Sequence, residues 1–154
     1  MLAGLVMAAA AAHAPLPATL AAPLLDPANP FSCLLRADGG RAVIAASAEA
    51  LIVLPPAATA AGQTLVIPRQ AVARIEDLPE PTRAALYRAA DAAGRAQQAA
   101  FGATGFTVVA AVAGNGPGRS FPAHLHIVPR YDGTGPADAQ SHAGAERLKA
   151  SLSW

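Results

Sequence analysis

Two of the four histidines in this chain, His124 and His126, alternate with the apolar residues Leu125 and Ile127. Side chains two positions apart in a β-strand project from the same face, so both imidazoles would point one way while the apolar residues face a core. An unperturbed imidazole titrates at about pH 6.5, and its neutral form acts as a nucleophile, a base or a metal ligand. The pattern indicates a reactive site. The alternative interpretation is that one histidine fills a half-buried position of the strand and the other is solvated, with no reactive site.

The stretch before this segment, Gly114-Asn115-Gly116-Pro117-Gly118-Arg119-Ser120, has the composition of a loop, because glycine and proline interrupt regular structure. Backbone N–H groups of a glycine-rich loop approach an anion closely, and a guanidinium or a hydroxyl adds to such a cradle. We therefore expect Asn115, Gly118, Arg119 and Ser120 to bind a phosphate group of a substrate. The alternative is an ordinary hairpin connection with an exposed arginine.

The composition favours one globular domain. The chain has 154 residues, of which 53% are hydrophobic and 14% charged, which is enough apolar surface for one core. The formal net charge of +1, without a basic stripe, argues against a nucleic-acid partner. The single cysteine, Cys33, forms no internal disulfide and no paired-cysteine metal site, which favours the cytoplasm.

The first thirty residues read as an extension rich in alanine, leucine and proline. Their apolar run is too short to span a bilayer, so we expect no membrane partner. Ala12-His13-Ala14 resembles a signal-peptide cleavage site, but a basic region is missing and Pro15 would follow the cut. We predict a cytoplasmic protein, with secretion as the alternative.

The rest of the chain alternates between strand and helix patterns. We predict strands over 42–46, 50–54, 63–67 and 106–113 and in the histidine segment, a long helix from Asp77-Leu78-Pro79-Glu80 to Phe101-Gly102, and a short helix over 143–152. The order predicts an α+β fold, an antiparallel sheet of about five strands with one long helix packed on it and a short C-terminal helix. The predicted divisions are an extension over 1–30, a domain over 31–135 and a tail over 136–154.

Two sequence motifs in this order resemble the histidine triad superfamily. The first is the strand Leu65-Val66-Ile67-Pro68-Arg69, and the second runs from His124 through Pro129-Arg130 to Gly133. The resemblance covers roughly 32–133. It implies a nucleotide hydrolase or transferase whose middle histidine attacks the α-phosphorus of a dinucleoside polyphosphate or nucleoside phosphoramidate. It also implies a nucleotidyl-histidine intermediate, no cofactor or obligatory metal, and a homodimer.

The triad in this chain is incomplete, and two alignments of it are open. Counting back from Pro129-Arg130 places His124 on the middle, nucleophilic position, His126 on the third and Pro122 on the first. Counting forward from Ser120 makes His126 the nucleophile. We favour the first count because it needs no gap, and both leave two histidines.

Other positions also differ from the family pattern. Gln63 stands where members often have a histidine, and Pro55 falls near the usual ribose-binding aspartate. The amide of Gln63 is able to donate to a phosphate, so we include it among the substrate-binding residues. An ordinary strand residue at the surface is the alternative.

The resulting hypothesis is a nucleotide-binding hydrolase or transferase with His124 and His126 as its catalytic residues. The first alternative is an inactive module of the same fold that binds a nucleotide or another phosphorylated small molecule. The second is a metal site on the two imidazoles, which lacks obvious further ligands, since Asp132 lies beyond a proline.

Overall fold

The computed structural model describes residues 25–37, 43–55, 57–114 and 121–154. One antiparallel sheet has the strand order β1-β2-β3-β5-β4. Its strands are β1 (Val43–Ala46), β2 (Ala50–Val53), β3 (Thr64–Pro68), β4 (Gly105–Ala111) and β5 (His124–Arg130). The helices are α1 (Phe31–Ala37), α2 (Glu80–Phe101) and α3 (His142–Ser151). The predicted α+β fold is confirmed.

The sheet is covered on both faces over its central strands, which explains why every residue of β2 and β3 is buried. On one face, Leu125 and Ile127 of β5 join Val66 of β3 in the core under α2. On the other face, Leu65 of β3 packs with Phe31 of α1 in a second core. Leu65 pairs directly with His126 across the two strands. Helix α1 therefore lies on the same face of the sheet as the histidines.

Helix α2 packs closely on the sheet because small residues line its buried side. A Cβ atom at Gly94 would lie 2.5 Å from ring atoms of Phe106 in β4. The helix ends as predicted at Phe101, where Gly102 takes a left-handed conformation with φ 71° and donates its N–H to the Gln98 carbonyl. Its start differs slightly from the prediction, because a 3-10 turn at Ile75–Asp77 precedes the first helical residue.

Helix α1 is an element that the sequence patterns did not predict. The side chain of Asn29 accepts the N–H of Phe31 at 3.0 Å, which caps the start of this short helix. Phe31 and Leu35 are buried against the sheet. The remainder of the predicted N-terminal extension, residues 1–24, lies outside the described residues. In the described ranges, no helix combines the length and apolar character needed to cross a bilayer.

Helix α3 follows the sheet and packs against α2. The hydroxyl of Ser141 accepts the N–H of Gly144 and caps the helix. Ala145 and Leu148 are buried in the core that α2 shares with the sheet. The predicted C-terminal helix is therefore present, one residue earlier than expected, while the predicted division into extension, domain and tail stays a prediction.

Candidate functional site

The two histidines of β5 lie side by side on one face of the sheet. Along this strand buried residues alternate with half-buried ones, and both imidazoles belong to the half-buried set. The Nε2 atoms of His124 and His126 are 3.0 Å apart, and the ring centroids are 4.7 Å apart. The period of two in a β-strand predicts this arrangement. The rings therefore share a hydrogen bond at an accessible edge of the core.

One end of this pair is fixed by a backbone carbonyl. Nδ1 of His124 lies 2.9 Å from the carbonyl oxygen of Pro122. A carbonyl oxygen only accepts, so Nδ1 carries the proton, and Nε2 of neutral His124 has a free lone pair. That lone pair accepts the hydrogen bond from His126, whose Nε2 is therefore the protonated one.

The other end of the pair is fixed by an amide. Oε1 of Gln63 accepts the backbone N–H of Thr59 at 3.1 Å and its hydroxyl at 2.7 Å. The other amide atom, Nε2, lies 2.9 Å from Nδ1 of His126 and donates to it. Nδ1 of His126 is thus the acceptor and its Nε2 the donor. The contacts from Pro122 through His124 and His126 to Gln63 form one hydrogen-bond chain. Each end of this hydrogen-bond chain independently requires the same two tautomers.

Burial keeps both imidazoles neutral. Burial lowers the pKa of His124 below its usual 6.5, and the hydrogen bond to the Pro122 carbonyl opposes this only in part. Burial also lowers the pKa of His126, and repulsion from His124 lowers it further. At neutral pH the pair therefore offers one unprotonated nitrogen, on His124, and one N–H donor, on His126.

Two phenylalanine rings border the histidine pair. The ring of Phe31 meets that of His124 edge-on, with centroids 4.9 Å apart, and lies 4.8 Å from the ring of Phe121. Phe31 is buried, whereas Phe121 is 40% exposed. Phe31 and Thr59 are site residues that sequence reasoning missed. The only signal for Phe31 was the helix-capping Asn29, and Thr59 gave none.

The loop that carries Gln63 is held by two side chains from after β5. The hydroxyl of Tyr131 donates to the carbonyl of Ala61 at 2.7 Å. Oε1 of Gln140 accepts the N–H of Gly62, and its Nε2 donates to the carbonyl of Gln63 at 3.3 Å. Gln63 itself is only 5% exposed. Its amide therefore enters the site in one defined orientation and is already bonded to a histidine.

The predicted phosphate-binding residues of the glycine-rich loop, Asn115, Gly118, Arg119 and Ser120, lie outside the described residues. The register of the sheet nevertheless shows where their loop begins and ends. Ala111, the last residue of β4, pairs with His124, the first residue of β5. Both ends of the connection therefore lie beside the histidine pair.

The described residues contain no group of three His, Cys, Asp or Glu side chains placed to hold a metal ion. Cys33 is exposed and unpaired with another cysteine. A groove of about 810 Å³ lies elsewhere, between α2 and the β1–β2 turn, and includes Tyr87 and Trp154. None of its lining residues belongs to the histidine site, so we assign it no part in the chemistry.

Comparison with known proteins places this architecture in a family context. The family model of the HIT domain matches residues 40–133. A Hit-like protein involved in cell-cycle regulation from Bartonella henselae is similar at 25% identity and TM-score 0.64, covering 83% of this chain and 99% of that one. A Zn-bound histidine triad family protein from Mycobacterium smegmatis is similar at 25% identity and TM-score 0.56, covering 75% and 87%. A hypothetical histidine triad nucleotide-binding protein from Sulfolobus tokodaii, at 19% identity and TM-score 0.62 over 71% and 82%, shares the fold. No curated protein matches the chain.

Proposed function

Because the chain belongs to the HIT domain family, we propose that it binds a nucleotide and cleaves a phosphoanhydride or phosphoramidate bond through a nucleotidyl-histidine. The observation that carries this proposal is the hydrogen-bond chain. It leaves His124 with an unprotonated Nε2 and places the N–H of His126 3.0 Å from it. A neutral imidazole nitrogen beside a hydrogen-bond donor is suited to attack phosphorus and to stabilise charge on the phosphoryl oxygens.

His124 is the nucleophile in this mechanism. Its Nε2 forms a bond to the α-phosphorus while the bond to the leaving phosphate breaks and the phosphate departs with the electron pair. The imidazole gains positive charge as it attacks, and the carbonyl of Pro122, 2.9 Å from Nδ1, stabilises that charge. Water then attacks the phosphorus, the electron pair of the P–N bond returns to Nε2, and the proton of water passes to solvent. An amine leaving group takes its proton from solvent water.

His126 orients the phosphoryl group. A bound phosphate displaces the hydrogen bond between the two rings, and Nε2–H of His126 then donates to a non-bridging oxygen. The glycine-rich loop supplies further donors, and we propose Asn115, Gly118, Arg119 and Ser120 in that role. Support comes from the pairing of Ala111 with His124, because both ends of the connection between β4 and β5 lie beside His124.

The aromatic rings at the site favour a ligand with a planar apolar part. Phe121 is partly exposed beside Phe31, and Phe31 contacts His124. Aromatic rings bind planar groups by stacking or by edge-to-face contact. A nucleoside base joined to the phosphate would contact these aromatic rings. For this reason we propose a nucleotide and not inorganic phosphate as the ligand.

A homodimer is also proposed. Among the described strands β4 pairs with β5 alone and forms one edge of the sheet. Val108 and Val109 on this edge strand are 37% and 47% exposed. An exposed apolar edge strand is typically covered by a partner. Sedimentation of the full chain at several concentrations tests this, and a monomer throughout would refute it.

A binding module without turnover is the second candidate. Two observations favour it. Pro122 contributes only its carbonyl where the family resemblance expects the first histidine of the triad, and the lone pair of His124 is already occupied by His126. This candidate predicts that nucleotides bind without forming an adduct.

Intact-protein mass spectrometry distinguishes the two candidates. The full chain is incubated with a dinucleoside polyphosphate or a nucleoside phosphoramidate, quenched, and examined for a nucleotidyl adduct. We expect an adduct on wild type, none on His124→Ala, and an unchanged amount on His142→Ala, an exposed histidine of α3. If the adduct persists in His124→Ala and is lost in His126→Ala, then His126 is the nucleophile and His124 the orienting residue. Nucleotide binding without any adduct or turnover would favour the inactive module.

A further inference from the structure

We propose that Gln63 is a positioning residue that keeps the histidine pair closed to transition-metal ions by fixing the tautomer of His126. Replacing this amide by a carboxylate would convert the same pair into a zinc-binding site. The proposal concerns the resting protein and does not depend on the proposed reaction.

The separation of the two rings does not by itself exclude a metal. Zinc binds imidazole nitrogen at about 2.0–2.1 Å in tetrahedral geometry, which places two ligand nitrogens about 3.4 Å apart. The Nε2 atoms of His124 and His126 are 3.0 Å apart on one rigid strand. An opening of a few tenths of an ångström would admit the ion. His124 even has the outer contact typical of a metal ligand, with Nδ1–H bonded to a carbonyl.

The obstacle is the proton on His126. A metal at Nε2 needs the lone pair there, so the proton would have to move to Nδ1. Nδ1 lies 2.9 Å from the amide nitrogen of Gln63, which is itself a donor. Two donors would then face each other inside a site where Gln63 is 5% exposed. The tautomer that binds metal is therefore disfavoured.

Rotating the amide of Gln63 does not remove the obstacle, because Thr59 fixes its orientation. Oε1 accepts the backbone N–H of Thr59, a group that only donates, together with the threonine hydroxyl. A flipped amide would place its own N–H against that backbone N–H. The backbone of the loop is in turn held by Gln140 and Tyr131. The direction of donation along the hydrogen-bond chain is thus set by residues outside the histidine pair.

A carboxylate at position 63 would reverse this polarity at one atom. Glutamate has the same shape as glutamine, and one of its oxygens would still accept from Thr59. The other would accept Nδ1–H of His126 and leave Nε2 free for a metal, which is the arrangement of carboxylate–histidine–zinc sites. Water would complete the coordination, because no third ligand is placed there among the described residues. Outer contacts of this kind change metal affinity by about 10–100-fold.

The test measures Zn²⁺ binding to the full, tag-free chain by competition with a chromophoric chelator. We expect Gln63→Glu to bind Zn²⁺ about 10–100-fold more tightly than wild type, and the double variant Gln63→Glu/His126→Ala to lose the gain. Gln98→Glu, an exposed glutamine on α2, is the matched control and should bind like wild type. Equal affinity in wild type and Gln63→Glu, or a gain that survives loss of His126, would overturn the proposal.

A second measurement needs no variant and so stands even where Gln63→Glu fails to fold. Nitrogen-15 NMR of the wild-type imidazoles at neutral pH reports which ring nitrogen carries the proton. We expect Nε2–H for His126 and Nδ1–H for His124. An Nδ1–H tautomer at His126 would refute the role of Gln63. Neither measurement involves a nucleotide, so failure of the proposed reaction leaves this inference standing.

Discussion

Replacing Gln97 by leucine is expected to weaken both the fold and the histidine site. Gln97 lies on α2 and is fully buried. Its Nε2 donates to the carbonyl of Gly62 at 3.0 Å, to the hydroxyl of Thr64 at 3.1 Å and to the carbonyl of Ile127 at 2.9 Å. The first two acceptors flank Gln63 in the chain, and the third follows His126. One amide on α2 therefore bonds to the segment that carries Gln63 and to the strand that carries the two histidines.

The size of the effect follows from these contacts. Leucine has a volume close to that of glutamine, so no large cavity forms and the loss comes mainly from the hydrogen bonds. The amide has two N–H groups for three acceptors. The leucine variant lacks both N–H groups, and each buried acceptor left without a donor lowers the free energy of unfolding by about 1–3 kcal/mol. Within the part of the chain that the structure describes, the Oε1 atom of Gln97 has no partner, so its removal offsets part of the loss. We expect a net decrease of about 2 kcal/mol in the free energy of unfolding.

Thermal and urea unfolding of three proteins test this value. A decrease of about 2 kcal/mol corresponds to a Tm lower by about 4–8 °C for a chain of this size. The control is Gln98→Leu, the same substitution at the neighbouring, exposed position of α2, and its Tm should stay close to that of wild type. If Gln97→Leu unfolds at the temperature of wild type, the amide contributes no net stability and the reasoning fails.

Three further predictions concern the histidine pair and the two cores. The pKa values of His124 and His126 lie below 6.5 in the native protein, so the unfolded chain binds protons first on acidification. These two groups should leave the free energy of unfolding unchanged above about pH 6.5 and lower it below that pH. Urea titrations at several pH values measure this dependence. The prediction would be contradicted if a variant with both histidines replaced by glutamine lost stability with falling pH as steeply as wild type. Gly94→Ala would force a Cβ within 2.5 Å of the Phe106 ring, and the added methyl should cost about 1–3 kcal/mol; an unchanged urea midpoint would show that α2 shifts freely. Phe31→Ala removes a 3% exposed ring and should cost about 3 kcal/mol; retention of the wild-type midpoint would mean that α1 does not contribute to the second core.

Much of the fold was predictable because its elements end at residues with strong local effects. Strand β3 ends at Pro68 and helix α2 ends at Phe101, directly before the left-handed Gly102, and both end points follow from backbone chemistry alone. Helix α1 was not predictable in the same way. It spans Phe31–Ala37, too short a segment to display a helical period, and its stability comes from burying Phe31 and Leu35 on the sheet.

The site was predictable only in part, for a related reason. The shared face of His124 and His126 follows from the period of a strand. The partner of Gln63 does not, because it depends on the pairing of Leu65 with His126 across β3 and β5. A sequence in isolation favours an amide that is free to meet a phosphate. In the folded chain that amide donates to an imidazole, and the role that we propose for it in fixing a tautomer depends on this contact.

The loop that orients Gln63 is also held by a residue beyond the family match, which ends at residue 133. Gln140 donates to the carbonyl of Pro55 at 2.7 Å and accepts from Gly62, so it closes the loop that orients Gln63. Family membership therefore accounts for the position of the histidines, whereas the segment before α3 holds the loop whose amide we propose to fix the tautomer of His126. For this reason, substitutions around Gln140 should alter the chemistry of His126 although the two residues lie on different elements.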